Sequence, residues 1–428
     1  MGAMAIDARR GDDASQPEDL FACAGPSEQL RFNAAISPAL PAFCDQADRL
    51  GWSGREPSSL TFLEADAEVE RLSGFFRSLG LRENAIVAVA LPNSTEACLT
   101  IVALDRAGLT PAFLPVATAR ETAAQLVESL AAAGVVTQSQ IAYLRPASDW
   151  RDVAAGYFGL RFPMAFGPGV PDGLIDLDRA ASGFGEVSEI TPQSADAPPS
   201  GFVTFETQDG NLRPVFRSWK SAIAATRLFL ATAGYRRGDR VVSLLAQDDF
   251  RSLATGLLAS LASGSALVAH GLFSSRALME SLADEARTLI VAPGWMEADL
   301  ARLELSANVA NIVLVHRAPV RFKARPPLTH GVVDALAFGE TALLAKARDA
   351  RGQFALSLEP IDGSGEAEAL LEARRDETGR ISFRGPAAAV SAFGASQADD
   401  SSGVWRRSPF AAEIFAGIVI GVSAIDGV

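Results

Sequence analysis

The 428-residue chain has few lysines, cysteines and histidines, and these shortages exclude several classes of function. None of its three cysteines or three histidines falls in the close spacing typical of metal ligands. We therefore expect no metal site built from them, and thiols that stay reduced, as in a cytoplasmic protein. A formal net charge of −13 disfavours nucleic acids and anionic membrane surfaces as partners.

Long hydrophobic runs are also missing. No stretch approaches the roughly 20 apolar residues that a membrane-spanning helix needs, and residues 1–17 lack the apolar centre of a secretory signal. The sequence contains no Gly-x-Ser-x-Gly pattern and no Gly-x-Gly-x-x-Gly pattern after a strand. These absences disfavour a nucleophile-elbow hydrolase and a dinucleotide-binding enzyme.

What the chain does contain is a partial internal repeat. Residues 80–89 are similar to residues 234–243, and each copy continues into an apolar helical stretch that ends at a glycine, Gly108 or Gly264. A second short apolar run follows each glycine. This order predicts a strand, a helix and a second, parallel strand in each copy, and hence two related α/β units.

An amphipathic helix is predicted before each copy. Thr61 and Glu64 have the spacing of a capping box at the start of the first helix. Apolar residues at helical spacing then follow, namely Val69, Leu72, Phe76 and Leu79 in the first helix and Ala222, Ala225, Phe229 and Leu230 in the second. Further strands are predicted at residues 289–292, 312–315 and 380–384.

The expected fold class is α/β, with two pseudo-symmetric Rossmann-like subdomains and a small β-rich subdomain. We expect a partly disordered N-terminal extension over 1–57, a first α/β subdomain over 58–200 and a second over 201–360. The small β-rich subdomain then covers 361–428. Charged and glycine-containing residues at 361–379 predict an exposed connection before it.

Several short motifs, in a fixed order, resemble those of the adenylate-forming superfamily of AMP-dependent synthetases and ligases, which includes the acyl- and aryl-CoA synthetases. The resemblance covers about residues 58–428. The matching segments are 60–62, 91–94, 106–115, 234–239, 338–342, 379–386 and 405–409. None of the seven is specific alone, but their order supports the resemblance. It implies a large N-terminal domain with the fold above, and a cleft near residues 204–214, 248–254 and 331–342.

The segment 204–214 lies where this family has a phosphate-binding loop, and the resemblance implies that Gly210 and Arg213 bind the ATP phosphates. Such a loop is normally rich in glycine, serine and threonine, because backbone N–H groups and small hydroxyls must approach the phosphates. Glu206 and Asp209 here would repel a triphosphate instead. Pro214 also removes one backbone donor.

The segment 338–342 resembles the family motif Y-G-x-T-E. The resemblance implies that Phe338 and Gly339 contact the adenine, that Thr341 orients the reacting carboxylate or phosphate, and that Glu340 substitutes as the acid near Mg²⁺. The family's own acid is replaced by Ala342. We therefore treat Thr341 and Glu340 as the candidate catalytic residues, with ATP or AMP and Mg²⁺ as doubtful cofactors.

Two further parts of the family site are altered. The aspartate that accepts hydrogen bonds from the ribose falls near Pro409 and Phe410, which have no side-chain acceptor. Phe250 and Leu253 are the candidate residues for binding the substrate. The neighbouring Asp248 and Asp249 are interpreted as surface acids, although a metal-binding role is an alternative.

Three functions remain open from the sequence. The first is activation of an acyl or aryl acid to an acyl-AMP and then a thioester of CoA or of a carrier-protein thiol, in an impaired or lost form. The second is a pseudoenzyme that binds an acyl group, an acyl carrier protein or a partner enzyme. The third is a split ligase that needs a separate lid domain, because the C-terminal domain of the family is not expected within this chain.

Overall fold

A computed structural model describes residues 20–184, 200–208, 211–322, 328–349, 369–394 and 403–425. The strands of this part of the chain are β1 (Pro41–Asp45), β2 (Ser59–Thr61), β3 (Ile86–Ala90), β4 (Thr110–Phe113), β5 (Gly134–Gln138), β6 (Phe162–Phe166), β7 (Ile175–Asp176), β8 (Gly201–Gln208), β9 (Asn211–Ser218), β10 (Arg240–Ser243), β11 (Ala266–Ala269), β12 (Thr288–Pro293), β13 (Val309–Arg317), β14 (Val320–Arg321), β15 (Gly331–Phe338), β16 (Ala342–Ala347), β17 (Glu372–Arg375), β18 (Arg380–Arg384), β19 (Val390–Ala392), β20 (Arg406–Phe415) and β21 (Ile418–Ala424).

The helices alternate with these strands through most of the chain. They are α1 (Pro26–Ile36), α2 (Arg49–Ser53), α3 (Phe62–Ser78), α4 (Thr95–Arg106), α5 (Arg120–Ser129), α6 (Pro146–Gly156), α7 (Leu177–Ser182), α8 (Trp219–Ala233), α9 (Phe250–Thr255), α10 (Leu257–Ser263), α11 (Ser275–Ser281) and α12 (Glu297–Leu300), with short 3-10 turns at Gly294–Met296 and Pro386–Ala388.

The predicted repeat forms the centres of two eight-stranded sheets. The first sheet has the order β19-β9-β8-β4-β3-β5-β6-β7, and the second has the order β16-β15-β13-β12-β10-β11-β1-β2. β3 pairs in parallel with β4, and β10 pairs in parallel with β11. Gly108 and Gly264 turn the chain between helix and strand with φ of 70° and 69°, values that favour glycine. The α/β fold class and its internal repeat are confirmed.

A third, five-stranded sheet has the order β14-β21-β20-β18-β17, and its pairings are antiparallel. The strand predicted at 380–384 is its member β18. This sheet is the small β-rich part expected toward the end of the chain.

The predicted subdomain bounds remain a proposal. Several strands lie within the bounds of one subdomain but pair in the sheet of the other. β1 and β2 lie at or before residue 61 but join the second sheet, where β1 pairs in parallel with β11. β8 and β9 follow residue 200 but join the first sheet through β4. β19 joins the first sheet as well, by pairing with β9. Each of the two large sheets therefore contains strands from both sides of the predicted bounds.

The start of α3 has the predicted capping box. The Glu64 N–H donates to the Thr61 hydroxyl over 3.2 Å, and the Thr61 N–H donates to the Glu64 carboxylate over 2.9 Å. Val69, Leu72 and Phe76 are buried on one face of the helix, as the spacing predicts. The capping box fixes where this helix begins, and its apolar face fixes which side packs inward.

One apolar core extends across both large sheets. Val87 and Val89 of β3 belong to the same buried cluster as Val241 of β10 and Leu289 of β12. The helix α4 is buried on nearly all sides between them, which explains why residues 97–104 are apolar all round the helix except at Thr100. None of the helices in the described ranges is long and apolar enough to cross a membrane.

We predict that Thr61→Ala destabilises the protein by about 1 kcal/mol, because it leaves backbone donors at the start of α3 without a partner. The measurement is the shift of the denaturant unfolding midpoint. Thr61→Ser is the control, since it keeps the hydroxyl and should stay close to the parent. Equal losses in both variants would contradict a capping role.

Candidate functional site

The segment 204–214, expected to contain a phosphate-binding loop, is mostly a β-hairpin. β8 and β9 pair antiparallel, with Thr204 opposite Val215 and Glu206 opposite Arg213. A ladder of this kind uses many of the backbone N–H groups that an open loop would offer to phosphates. The sequence held a signal for it, since Asp-Gly between two strand-like runs favours a two-residue hairpin turn. Gly210, the predicted phosphate ligand, lies outside the described residues.

A second hairpin turn, between β15 and β16, lies against the first. Phe338 pairs with Ala342, and the Thr341 N–H donates to the Phe338 carbonyl over 3.1 Å. Gly339 has φ of 57° and no side chain, and the Glu206 carboxylate fills the space where its Cβ would stand. Glycine is required here by both backbone conformation and lack of room.

Glu206 occupies this turn as an internal anion. The Glu340 N–H donates to its carboxylate, and the charge of Arg317 acts on it. Its Oε1 atom is buried and has no hydrogen-bond partner among the described residues. Burial raises the pKa of this carboxyl, and the Arg317 charge and the Glu340 N–H lower it only in part.

Glu340 is buried beside Glu206 and faces the start of α9. Its carboxylate accepts hydrogen bonds from the Phe250 N–H, over 3.1 Å, and from the Thr204 hydroxyl. The guanidinium of Arg317 lies 3.9 Å away. Burial, and then the nearby charge of Asp249, raise the pKa of Glu340 to about 7.

A buried arginine that the sequence analysis missed holds the turn in place. Arg217 donates to the carbonyls of Glu340 and Thr341 over 2.6 and 2.8 Å, and to the carbonyl of Ala387 over 3.0 Å. Its guanidinium also stacks 3.7 Å from the centre of the Phe250 ring. Its signal in the sequence is weak, an arginine next to apolar and aromatic residues where β9 is followed by α8.

The interpretation of Asp248 and Asp249 as surface acids is wrong for Asp249, which is buried at the start of α9. Its carboxylate accepts the Ser252 N–H over 2.9 Å and pairs with Arg251. Asp248 is half-buried, and burial followed by the charge of Asp249 raises its pKa to about 6. Asp249 is therefore a helix cap.

The predicted aromatic and substrate-binding residues lie in the core. Phe250, Leu253 and Phe338 are fully buried. The Phe338 ring lies 5.0 Å from that of Phe383 and 6.5 Å from that of Phe410. Neither face of Phe338 is exposed for stacking on an adenine in this conformation.

The two remaining predicted site residues, Thr341 and Arg213, lie in different places. Thr341 lies in the turn beside Glu340 and Gly339, whereas Arg213 is exposed on β9. The structure thus brings together Phe250 and the residues of the 338–342 motif. Leu253 is buried further along α9, and Arg213 lies outside this buried group. In the described ranges, no three histidine, cysteine, aspartate or glutamate side chains form a group that could hold a metal ion.

The loops after β3 and β10 position the two sheets relative to each other. Asn93 donates to the Ser243 carbonyl over 2.9 Å, and Gln247 donates to the side chain of Asn93 over 2.9 Å and to the thiol of Cys98 over 3.2 Å. Burial raises the pKa of the Cys98 thiol to about 12. This cysteine is a buried structural residue, unsuited to act as a thiolate nucleophile.

Comparison with known proteins agrees with this architecture. A profile of the AMP-binding enzyme family matches residues 30–155. The fold is similar to the inhibitor-bound N-terminal domain of FACL13 from Mycobacterium tuberculosis, with 15% identity, a TM-score of 0.70, and coverage of 94% of this chain and 99% of that one. No curated protein matches the sequence.

Two further solved structures have similar folds. A benzoate CoA ligase from Burkholderia xenovorans LB400 has 13% identity and a TM-score of 0.70, over 94% of this chain and 79% of that one. The O-succinylbenzoate coenzyme A synthetase MenE from Bacillus subtilis, in complex with ATP and magnesium ion, has 16% identity and a TM-score of 0.67, over 93% and 99%. The profile match and the shared fold support the resemblance to the adenylate-forming superfamily, as its large N-terminal domain.

We predict that Glu340→Gln stabilises the protein at pH 8 by roughly 2 kcal/mol and has little effect at pH 5. A carboxyl whose pKa is raised to about 7 in the folded state is stable there as the neutral acid, and that stabilisation is lost as the pH rises through 7. The measurement is the free energy of unfolding across pH 5–8.

The exposed acid Glu121 supplies the control, because Glu121→Gln should leave the pH dependence unchanged. Destabilisation by Glu340→Gln at every pH would instead mean that the ionised carboxylate is held by Arg317.

Proposed function

We propose that this chain is an AMP-dependent ligase-like protein whose acyl-adenylate chemistry is impaired or lost, and that it works by binding an acyl group, an acyl carrier protein or a partner enzyme. The observation that carries this proposal is Glu206. Its carboxylate lies in the turn at Gly339 and takes the Glu340 N–H, so the protein supplies its own anion where the resemblance places nucleotide contacts.

The residues present do not fit a bound triphosphate. Four acids meet here, Glu206, Asp248, Asp249 and Glu340, and three of them have a raised pKa because they are desolvated. An ATP phosphate brought close to them would meet repulsion of several kcal/mol at an intermediate dielectric. The guanidinium of Arg217, which would offset it, is already committed to backbone carbonyls.

Mg²⁺ and the ribose fit no better. Glu340, the proposed substitute for the magnesium-supporting acid, accepts hydrogen bonds from the start of α9 and from Thr204 instead. The resemblance places the ribose-binding aspartate near Pro409 and Phe410, and Phe410 packs against Phe338 and Gly339. We therefore derive no reaction step through ATP or Mg²⁺ for the chain in this conformation.

The substrate class follows by analogy only. The similar solved structures include ligases named for benzoate and a fatty acyl CoA synthetase, so an acyl or aryl acid, or its thioester, is the ligand class to test. CoA is the corresponding acceptor to test, since the benzoate and anthranilate CoA ligases share the fold, and a carrier-protein thiol is the other acceptor that the family resemblance implies.

A second candidate is a split ligase that acts with a separate lid protein. One observation favours it: Thr341, Glu340 and the start of α9 converge, as an active site of this class would require. Closure by a partner would have to move Glu206 out of the turn.

We expect calorimetric titration with Mg·ATP to show no saturable binding up to about 1 mM, and acid-dependent pyrophosphate release to stay at background. Glu206→Ala should improve nucleotide binding, because it removes both the buried charge and the filled space at Gly339. Glu121→Ala, which removes an exposed acid, should not. Tight ATP binding by the parent, or pyrophosphate release at an ordinary enzymatic rate, would refute loss of function. Release that appears only with a second protein would favour the split ligase.

A further inference from the structure

The small five-stranded sheet has an inner face and an outer face. The inner face carries apolar side chains that belong to the main core, among them Ile381, Phe383 and Val422. Because side chains alternate between the two faces of a sheet, the residues between these point outward. Neither the resemblance nor the proposed function gives the outer face a role.

Two exposed arginines lie side by side on the outer face. The pairing of β17, β18 and β20 places Arg374 and Arg407 on either side of Ser382, and residues directly opposite each other share a face. Both arginines are exposed. Two strand spacings put their Cα atoms roughly 10 Å apart, so both side chains can reach one bound segment. Neither guanidinium is paired with a carboxylate in the described part of the chain.

An aromatic ring lies beside these arginines. Trp405 immediately precedes β20, and the guanidinium groups of Arg374 and Arg384 lie 4.1 and 4.8 Å from the centre of its ring. Stacking uses the flat face of the Arg374 guanidinium and leaves its in-plane N–H groups able to donate to a carboxylate. Arg384 is also held by Glu372, to which it donates two hydrogen bonds over 3.0 and 2.6 Å. The ring is therefore ordered before binding, which reduces the side-chain entropy that a partner must offset.

The acids near this ring do not cancel the charge of Arg374 and Arg407. Glu372 is neutralised by its pairing with Arg384. Asp376 lies in the turn at the other end of β17, where its carboxylate accepts backbone N–H groups of that turn. Two further described acids lie along the sheet, Glu377 in the same turn and Glu413 beside Arg321. This end of the outer face is therefore locally positive, although the whole chain has a formal net charge of −13.

We propose that an acidic segment of a partner protein docks on the outer face at Arg374, Trp405 and Arg407. Carboxylates of the segment accept hydrogen bonds from the two guanidinium groups, and an apolar side chain of the segment packs on the ring. Tryptophan and arginine are the residue types most enriched in the binding hot spots of protein interfaces. A peptide is favoured over a nucleic acid, because the net charge of the chain would repel a long polyphosphate, whereas a short segment meets only this face.

The proposal concerns a surface separate from the turn at Gly339. It does not depend on whether the chain forms acyl-adenylates.

The test is fluorescence anisotropy on the full chain with two labelled peptides of equal length, one rich in glutamate and one with glutamine at the same positions. We expect the glutamate peptide to bind with a Kd on the order of 10–100 µM at low ionic strength, at least about tenfold more tightly than the glutamine peptide. Its binding should weaken at least about tenfold near 0.5 M salt, because exposed charges are then screened.

The double variant Arg374→Gln and Arg407→Gln should weaken binding of the glutamate peptide at least about tenfold, through loss of both charged donors. The matched control is Arg276→Gln with Arg302→Gln, which removes the same charge from two exposed side chains elsewhere and should bind like the parent. Trp405→Leu should weaken binding about threefold or more. If Trp405→Leu fails to fold, the glutamine variants of the exposed arginines still decide the question.

Equal affinity for the glutamate and glutamine peptides, or equal losses in the two double variants, would overturn the proposal. Tighter binding of a single-stranded oligothymidylate than of the glutamate peptide would overturn it too, and would indicate a nucleic-acid surface instead. None of these outcomes alters the result of the Mg·ATP titration, so this proposal and the proposed function fail independently.

Discussion

The buried guanidinium of Arg217 is the interaction on which the candidate site depends. It joins β9 to the Glu340–Thr341 turn, to the 3-10 turn at Ala387 and to the ring of Phe250. These contacts come from different sheets and from a helix start, so one side chain fixes how they meet. A buried cation needs several acceptors to offset its desolvation, and the turn carbonyls provide them. The turn is therefore held by the protein itself.

That arrangement determines the charge balance at the site. With Arg217 committed to carbonyls, the acids around the turn are balanced mainly by Arg251 and Arg317, and burial raises the pKa of Glu340 to about 7. A site that must receive a polyanion needs free positive charge and free backbone donors. Here the Glu340 N–H goes to a carboxylate of the chain, which is a structural rather than a catalytic use of the donor.

The fold was largely predictable because it follows from periodicity and turn chemistry. The repeat around Gly108 and Gly264, the capping box at Thr61 and the three-part architecture all come from local signals that agree with the tertiary structure. Strand exchange was not predictable, because pairing of β1 with β11 or of β8 with β4 depends on contacts distant in sequence. The site was only partly predictable for the same reason: the burial of Phe338 leaves no local pattern, and the contacts of Arg217 leave only a weak one.

These facts explain how the fold around the turn can be maintained independently of the residues that the resemblance assigns to nucleotide binding. The contacts that position the turn are made to backbone atoms, by Arg217 to two carbonyls and by Glu206 to one N–H. Backbone-directed contacts do not depend on the side chains that would bind ATP, so those side chains can change without loss of the architecture. Glu206 illustrates the consequence, since a carboxylate in the turn satisfies a backbone donor that would otherwise be buried without a partner. A side chain at this turn can thus support folding whether or not the site binds a ligand.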